Sequence, residues 1–372
     1  MKILVTGANG FVGKNLIATL KHAIKEVEVY AYDIDNTIDD LKAYTKDCDV
    51  VVHLAGVNRP QNPEEFFEGN KGFSETLCCL LREHNNKASI IVSSSIQALR
   101  DNDYGKSKKE GEDILFEHAK INDSKVYIYR LVNLFGKWCK PNYNSVIATW
   151  CYNINNDIPV QVNDPNVELE LNYIDDVVVE FINAINGKAN QVDEFCVVEP
   201  IHKATLKQIK DLLESFKESR NNLYIPDMSN PLVSKLYSTY LNYIPSDEFS
   251  YSLKMNVDNR GSFTEILKTV ANGQVSVNIS KPGITKGNHW HHSKNEKFLV
   301  VSGKGLIQFR DIFSKEVIDY YVSSDDLKVV DIPTGYTHNI INLGEQDMVT
   351  IMWANETFNP DKPDTYFEEV NK

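Results

Sequence analysis

The sequence predicts two domains in tandem, a doubly wound parallel α/β sheet followed by an all-β barrel. The chain has 372 residues, which is too long for one ordinary core and long enough for two. Its first half alternates short β-branched runs with longer helical patterns, which is typical of parallel sheets. From about residue 258 onward the runs are short and alternating, with Gly, Pro, Asn and Asp turns between them, which is typical of an antiparallel barrel.

The individual strands follow from these runs. In the first half we expect strands at residues 2–6, 27–32, 50–54, 89–93 and 126–131, with helices between them. In the second half we expect strands at residues 274–279, 297–302, 305–311, 328–332 and 347–353. A weakly periodic stretch at residues 223–251 separates the two patterns. We therefore predict domains at residues 1–246 and 247–372.

Composition excludes several classes of partner. The formal net charge is -13, which argues against a nucleic acid partner because such binding depends on clustered Lys and Arg. No stretch approaches the roughly 20 apolar residues of a membrane span. The first apolar run is short and leads into a glycine turn, unlike the apolar region of a signal peptide. We expect a cytoplasmic protein that binds neither nucleic acid nor membrane.

A glycine-rich turn follows the first strand, with the sequence Gly7-Ala-Asn-Gly10-Phe11-Val12-Gly13. It opens an amphipathic helix that we expect at residues 12–20. In this context Gly7 permits the tight turn, Gly10 lets the backbone approach a pyrophosphate, and Gly13 lets the helix pack on the strand. The helix N-terminus adds free N–H groups. The pattern predicts a Rossmann dinucleotide site at Gly7, Gly10, Phe11, Val12 and Gly13.

An aspartate ends the second predicted strand. Asp33 lies about 20 residues past the glycine turn, where an acidic side chain accepts hydrogen bonds from the adenosine ribose. It favours NADH and would repel the 2′-phosphate of NADPH. The alternative interpretation, a solvated Asp that begins an acidic loop, stays open because Asp35 is close by.

A serine run and a Tyr/Lys pair come next, Ser93-Ser94-Ser95 at a strand end and Tyr104-Gly-Lys-Ser-Lys108 at a helix start. Tyr104 and Lys108, at i and i+4, share one helical face. The ammonium lowers the pKa of the phenol, which then serves as a general acid toward a carbonyl. A nearby serine hydroxyl would hold the same carbonyl oxygen. The pattern predicts a carbonyl reductase site.

Two histidine motifs lie near the C-terminus. The first contains His289, His291 and Glu296, and the second contains His338. On a strand, residues at i and i+2 face the same side, so both motifs are able to point into one barrel. Three imidazoles and one carboxylate suit Zn, Fe, Mn, Co or Ni and leave room for a further oxygen ligand.

The first 240 residues resemble the extended short-chain dehydrogenase/reductase (SDR) family in these motifs. The resemblance implies that the backbone of Leu54, Ala55 and Gly56 lines the dinucleotide. It also implies that Asn133, in the segment beginning at Arg130, enters a nucleotide-sugar site. Alignment of the serine run implies Ser95 as the catalytic hydroxyl, with Ser94 as its rival.

The two histidine motifs resemble those of the cupin superfamily. Within it, Asp258-Asn-Arg260-Gly261 and Lys286-Gly-Asn-His289 are similar to deoxysugar 3,5-epimerases and ketoisomerases, many of which lack metal and use the first motif histidine as a base. His289 therefore has two possible roles. The complete ligand set favours metal binding, with His292 and Lys297 as proton-transfer candidates.

The combination resembles a family of bifunctional enzymes of bacterial capsular polysaccharide synthesis, and the match includes the segment at residues 135–149 with Asn142, a substrate-binding candidate. The resemblance implies a UDP-linked 4-keto-6-deoxy amino sugar as substrate, epimerised at C3 by the cupin and reduced at C4 by the first domain. It also implies Zn²⁺, a homodimer and NADPH, and NADPH conflicts with Asp33. Two alternatives stay open: a reductase whose cupin is only a structural or ligand-binding module, and a sugar-sensing regulator.

Overall fold

The computed structural model describes residues 1–372. The chain forms two compact units, Met1–Leu213 with Lys235–Ile244, and Glu214–Ser234 with Pro245–Lys372. No helix combines the length and the apolar composition that crossing a membrane requires. The predicted boundary at residue 246 stays a prediction.

The first unit is an α/β structure. Its strands are β1 (Lys2–Thr6), β2 (Glu28–Tyr32), β3 (Val50–His53), β4 (Ser89–Ser95), β5 (Val126–Leu131), β6 (Asn133–Phe135), β7 (Glu168–Tyr173), β8 (Gln191–Val192), β9 (Phe195–Cys196) and β10 (His202–Thr205). Its α-helices are Phe11–Ala23, Ile38–Thr45, Glu64–Phe66, Phe73–Glu83, Asp103–Asn122, Val146–Asn155 and Ile174–Ile185. A π-helical turn, Phe67–Gly72, joins the third helix to the fourth. Helices Leu206–Asn222 and Pro231–Leu241 each contribute to both units.

The main sheet has the order β2-β1-β3-β4-β5-β9-β8. It is parallel from β2 to β9, and only β8 runs antiparallel. The register pairs Thr6 with His53 and His53 with Val92, so the carboxyl ends of β1, β3 and β4 meet at one edge. Ligand sites of open α/β sheets lie at this edge. A separate small sheet has the order β10-β7-β6.

The second unit is antiparallel. Its strands are β11 (Met255–Asp258), β12 (Gly261–Thr269), β13 (Gly273–Ser280), β14 (Thr285–Trp290), β15 (Glu296–Ser302), β16 (Lys304–Asp311), β17 (Val317–Ser323), β18 (Val329–Ile332), β19 (Tyr336–Asn342), β20 (Met348–Ala354) and β21 (Tyr366–Phe367), with a short 3₁₀ turn at Ser246–Glu248. They form two sheets, β11-β12-β13-β20-β15-β18 and β17-β16-β19-β14-β21. An apolar cluster that includes Phe298, Ile307 and Ile340 draws on both sheets.

A short stretch of the chain, Glu214–Ser234, groups with the second unit. Its backbone explains this grouping. Lys268 of β12 donates its N–H to Leu223 O at 2.7 Å, and its carbonyl accepts from Ile225 N at 2.8 Å. The stretch is thus tied to the antiparallel sheet by main-chain hydrogen bonds.

The predicted fold class, a Rossmann-type parallel sheet followed by an all-β cupin-like unit, is confirmed. The five strands expected in the second unit are found within one residue at each end. The sequence did not reveal β8 and β9 of the main sheet or β6 of the small sheet, because these strands have only two or three residues and carry no periodicity.

Candidate functional sites

The glycine turn is built as the spacing predicts. Gly7 has φ +68°, and a Cβ there would lie 2.8 Å from Ala55 N. A Cβ on Gly13 would lie 2.4 Å from Gly7 O, so only glycine lets the helix pack this closely on the turn. Gly10 is the N-cap of helix Phe11–Ala23, whose first residues include Val12. The first turn of a helix leaves N–H groups free for phosphate oxygens.

The carboxylate of Asp33 is held against this turn. Its Oδ2 accepts the backbone N–H of Asn9 at 2.7 Å, and its Oδ1 accepts that of Ile34 at 2.8 Å. Asp33 therefore faces the glycine turn rather than bulk solvent alone. Its position is the one from which an acidic side chain reaches an adenosine ribose.

The backbone after β3 lies beside the same turn. The N–H groups of Leu54 and Ala55 both donate to Thr6 Oγ1 at 3.2 Å. Gly56 lies next to Lys108, whose Nζ would be 3.1 Å from a Cβ at that position. The predicted cofactor-lining backbone and the predicted catalytic lysine are thus neighbours.

Ser95 and Tyr104 are brought together by a short connection. Ser95 ends β4 and caps the 3₁₀ turn Ile96–Leu99 by accepting the N–H of Gln97 at 3.2 Å. Tyr104 lies in the first turn of helix Asp103–Asn122. The expected lowering of the Tyr104 pKa by Lys108 is not found: burial raises this pKa above its ordinary value, and a hydrogen bond with Ser95 offsets part of that rise. The two hydroxyls are therefore adjacent.

Lys108 completes the group on the same helical face. Its Nζ donates to Ser93 O at 3.4 Å. Burial lowers the pKa of Lys108 to about 8, although the nearby Glu112 carboxylate opposes the change. Near neutral pH the phenol is protonated and the amine is mostly charged, which is the state a proton-donating Tyr/Lys pair requires.

The rival serine has a different partner. Ser94 is buried and donates to Glu112 Oε1 at 2.6 Å. The same carboxylate accepts from Arg130 Nε at 3.0 Å and from Arg130 Nη2 at 2.6 Å. Ser94 and Arg130 thus satisfy a buried charge inside the fold, and Ser95 is the serine beside the phenol.

A small polar cavity lies behind Lys108. Its volume is about 20 Å³, and its lining includes His53, Asn70 and Ser74. His53 hydrogen-bonds Thr6 Oγ1 at 2.8 Å and Ser74 Oγ at 3.0 Å. Burial, aided by the charge of Lys108, lowers the pKa of His53 to about 3. The space is large enough for one water molecule.

The two predicted substrate-binding asparagines make their hydrogen bonds outside this group. Asn133 is exposed on β6 and donates its side-chain amide to Glu170 O at 3.1 Å. Asn142 has φ +56° and donates its backbone N–H to Thr149 Oγ1 at 2.9 Å. Neither shares a hydrogen bond with Ser95 or Lys108, so their role stays a prediction.

The second unit gathers the four predicted metal ligands. His289, His291, Glu296 and His338 have potential ligand atoms that all lie within 4.8 Å of one another. The register of β14 and β19 places His289 opposite His338. The Nε2 atoms of His291 and His338 lie 3.5 Å and 3.4 Å from Glu296 Oε2.

The polar atoms at this cluster fit a divalent metal. His291 Nε2, His338 Nε2 and Glu296 Oε2 are all buried without a hydrogen-bond partner. Unsatisfied buried polar atoms are costly, and their convergence indicates a ligand that satisfies them together. An N₃O donor set suits zinc and other divalent transition metals.

The pKa shifts of His289 and Glu296 agree with metal binding at this cluster. Burial lowers the pKa of His289 to about 3, and the neighbouring His338 and His291 contribute to the decrease. Burial alone would raise the pKa of Glu296, but His291 and His338 hold it well below its ordinary value. A neutral His289 imidazole and an ionised Glu296 carboxylate are forms that bind metal.

The structure does not bring His292 or Lys297 to this cluster. His292 is exposed, and its ring packs on Trp290 and Tyr366 with centroid distances of 4.5 Å and 5.0 Å. Lys297 is exposed and pairs with Asp331. Since successive strand residues face opposite sides, Lys297 points away from the face that carries Glu296.

The sequence matches known proteins over both units. The model of the NAD dependent epimerase/dehydratase family matches residues 3–195. The chain belongs to the NAD dependent epimerase/dehydratase family. Residues 256–366 match the polysaccharide biosynthesis C-terminal domain.

Two relatives of this epimerase/dehydratase chain match it over nearly its full length. It is 42% identical over 366 residues, 98% of each chain, to the UDP-2-acetamido-2,6-beta-L-arabino-hexul-4-ose reductase of Pseudomonas aeruginosa. The crystal structure of the capsular polysaccharide assembling protein CapF from Staphylococcus aureus is 56% identical, with a TM-score of 0.95, and covers 99% of this chain and 100% of that one. The predicted resemblance to proteins of bacterial capsular polysaccharide synthesis is thereby confirmed. UDP-glucuronic acid 4-epimerase of Bacillus cereus is 20% identical, with a TM-score of 0.55, and covers 66% of this chain and 99% of that one. It shares the fold of that part of the chain.

Three further residues of this epimerase/dehydratase chain were missed in the sequence. Glu112 holds Ser94, Lys294 Nζ lies 3.9 Å from Glu296 Oε1, and Asp364 contacts His291. Glu112 comes four residues after Lys108 on the same helical face, which is a signal that the sequence offers. Asp364 is 73 residues from His291, and no local pattern indicates it.

Proposed function

We propose that the first unit reduces the C4 ketone of a UDP-linked 2-acetamido-2,6-dideoxy-4-hexulose with NAD(P)H. The adjacent hydroxyls of Ser95 and Tyr104, with Lys108 on the same helical face, carry this proposal. The name of the Pseudomonas aeruginosa relative, a reductase of such a 4-ketose, supports the substrate class.

Each residue of this group has a distinct task. Tyr104 donates its phenolic proton to the oxygen of the C4 ketone, and Ser95 hydrogen-bonds the same oxygen. Lys108 binds the nicotinamide ribose and stabilises the phenolate left behind. When bound, the dinucleotide would supply the hydride. The residues that would hold it are the glycine turn (Gly7, Gly10, Phe11, Val12 and Gly13), the backbone of Leu54, Ala55 and Gly56, and Asp33. Asn133 and Asn142 would contact the sugar nucleotide.

In the same proposal the second unit epimerises C3 before the reduction. The C4 ketone acidifies the proton at C3, so its removal leaves negative charge on the ketone oxygen. Zn²⁺ held by His289, His291, Glu296 and His338 would supply electrostatic stabilisation for that charge. These four side chains converge, and three of them have a buried ligand atom without a hydrogen-bond partner, which is the observation that supports the site. His292 and Lys297 stay candidates for the proton transfer, although each would have to move to reach the cluster.

The product would be UDP-2-acetamido-2,6-dideoxy-L-talose, a precursor of UDP-N-acetyl-L-fucosamine for capsular polysaccharide. Reduction removes the ketone that makes C3 acidic, so it fixes the new stereochemistry. We further propose a homodimer. The proposed cofactor is NAD(P)H, because the family resemblance implies NADPH whereas Asp33 favours NADH.

The direct test is incubation of the purified chain with the UDP-4-keto sugar in D₂O, with and without NADPH, followed by NMR. Deuterium at C3 without cofactor and a reduced product with cofactor are the expected results. Reduction with no cofactor-independent exchange would show a reductase whose cupin only binds or stabilises. Neither exchange nor reduction would favour a regulator and overturn the proposal.

A further inference from the structure

The last nine residues, 364–372, form a C-terminal strap beside the strand that carries the first histidine motif. Its strand β21 pairs with β14, so that Phe367 lies opposite His289 and Tyr366 lies opposite Trp290. Glu368 continues the pairing by donating its N–H to Asn288 O at 2.9 Å. The strap therefore lies along the histidine-bearing end of β14.

One carboxylate at the start of the strap binds the turn between the motif residues. Asp364 Oδ1 accepts the backbone N–H of His292 at 2.9 Å. Its Oδ2 accepts the N–H groups of Ser293 and Lys294 at 2.7 Å and 2.8 Å, and the hydroxyl of Ser293 at 3.1 Å. Consecutive N–H groups that converge on one anion fix the backbone conformation of a turn. This turn joins His291 to Glu296.

The main chain of the same residue orients a ligand ring. The carbonyl oxygen of Asp364 accepts a short hydrogen bond from His291 Nδ1. With Nδ1 protonated, Nε2 carries the lone pair, and it is this atom that points at Glu296 Oε2. Partners of this kind fix the tautomer and the direction of metal-binding histidines.

The far end of the strap is anchored independently of the cluster. The buried Arg310 of β16 donates to Val370 O and to Glu369 O, both at 2.9 Å, and pairs with Glu368 at 2.6 Å. Val370 is fully buried. Loss of the Asp364 side-chain contacts would therefore free the turn without releasing the strap.

We propose that Asp364 is a positioning residue that preforms the metal site, holding the 292–294 turn with its carboxylate and the His291 ring with its carbonyl. The inference rests on the proposed metal site. A substitution at Asp364, 73 residues from His291 in sequence, should therefore lower the affinity for metal while the protein still folds.

The test compares Asp364→Asn with wild type in the full chain. The substitution keeps the size and the backbone carbonyl but places an NH₂ group against N–H donors. We expect zinc affinity, measured by competition with a chromogenic chelator, to fall about 10- to 100-fold. The visible spectrum of bound Co²⁺ should change as well. The metal-free protein should keep one cooperative melting transition, at a lower temperature because hydrogen bonds to the turn are lost. Asp361→Asn is the matched control, because Asp361 is exposed and its carboxylate has no hydrogen-bond partner.

Zinc binding by wild type and by His338→Ala distinguishes failure of the metal site from failure of the positioning role. If wild type binds no zinc, or His338→Ala binds it equally well, the proposed metal site fails. If wild type binds zinc and Asp364→Asn binds it with the same affinity and Co²⁺ spectrum, the positioning role alone is overturned. If Asp364→Asn does not fold, Ser293→Ala replaces it, because this variant removes the hydroxyl that donates to the Asp364 carboxylate. Ser293→Ala should then bind zinc more weakly than wild type, with a smaller loss than expected for Asp364→Asn. Wild-type zinc affinity in Ser293→Ala contradicts the inference.

Discussion

Ser94 donates a 2.6 Å hydrogen bond to Glu112, whereas its neighbour Ser95 lies beside the phenol of Tyr104. Adjacent serines at the end of one strand therefore have separate tasks. We expect Ser95→Ala to lower kcat for keto-sugar reduction by about 10²- to 10³-fold, the usual loss when one hydrogen-bond donor to a reacting oxygen is removed. Steady-state NADPH oxidation measures it.

Ser94→Ala is the matched control for that experiment. It leaves a buried carboxylate with one fewer donor, which costs about 1–3 kcal/mol in the free energy of unfolding. Urea denaturation should show this loss while the reduction rate stays within a few-fold of wild type. A Ser94→Ala enzyme that is stable but inactive would reverse the assignment of the two serines.

The carboxylate of Asp33 should influence the preference of the protein for NADH over NADPH. Its carboxylate, fixed by Asn9 N at 2.7 Å, would bond ribose hydroxyls and repel a 2′-phosphate, so NADH should be used at an appreciable rate. Asp33→Ser should raise the ratio of kcat/KM for NADPH over NADH at least about tenfold. Asp35→Ser, at a position in the same loop, should leave the ratio unchanged. A strong NADPH preference in wild type would show that other residues read the phosphate.

The pH dependence of the reduction rate should reflect the ionisation of Lys108. Burial lowers the pKa of this amine to about 8, and its charged form is the one that binds ribose and stabilises the phenolate. Activity requires the protonated lysine, so kcat/KM should fall as the pH rises through about 8. The raised pKa of Tyr104 keeps the phenol protonated in this range.

Lys108→Arg tests the origin of that fall. Arginine stays charged throughout the range, so whatever activity remains should lose the decline near pH 8. A decline that persists unchanged in the variant would assign it to another group.

Local spacing made much of both sites predictable. The turn from Gly7 to Gly13, the pair Tyr104 and Lys108, and the histidine pair at 289 and 291 are each defined within a few residues of one element. Strand alternation and helical periodicity then determine which side chains share a face. The prediction of five barrel strands within one residue at each end has the same origin.

Contacts between distant segments were not predictable. The hydrogen bond from Ser94 to Glu112 and the contact of Asp364 with His291 join elements whose proximity only the assembled fold determines. The proximity in sequence of His292 and Lys297 to the metal ligands suggested a catalytic role for them. The structure places both side chains outside the cluster, and for Lys297 the alternation of strand β15 already indicates this.

Deuterium exchange at C3 of the keto sugar distinguishes two chemistries at separate sites in one chain from a single shared site. In D₂O without NADPH, Tyr104→Phe should exchange the C3 proton at the wild-type rate, yet with NADPH it should reduce the ketone at least about 10²-fold more slowly. His338→Ala should lose metal and exchange more slowly by a few orders of magnitude. Wild-type exchange by metal-free His338→Ala would make the metal structural and require a metal-free base such as His292. Near wild-type NADPH oxidation by Tyr104→Phe would contradict the assignment of the reductase site itself.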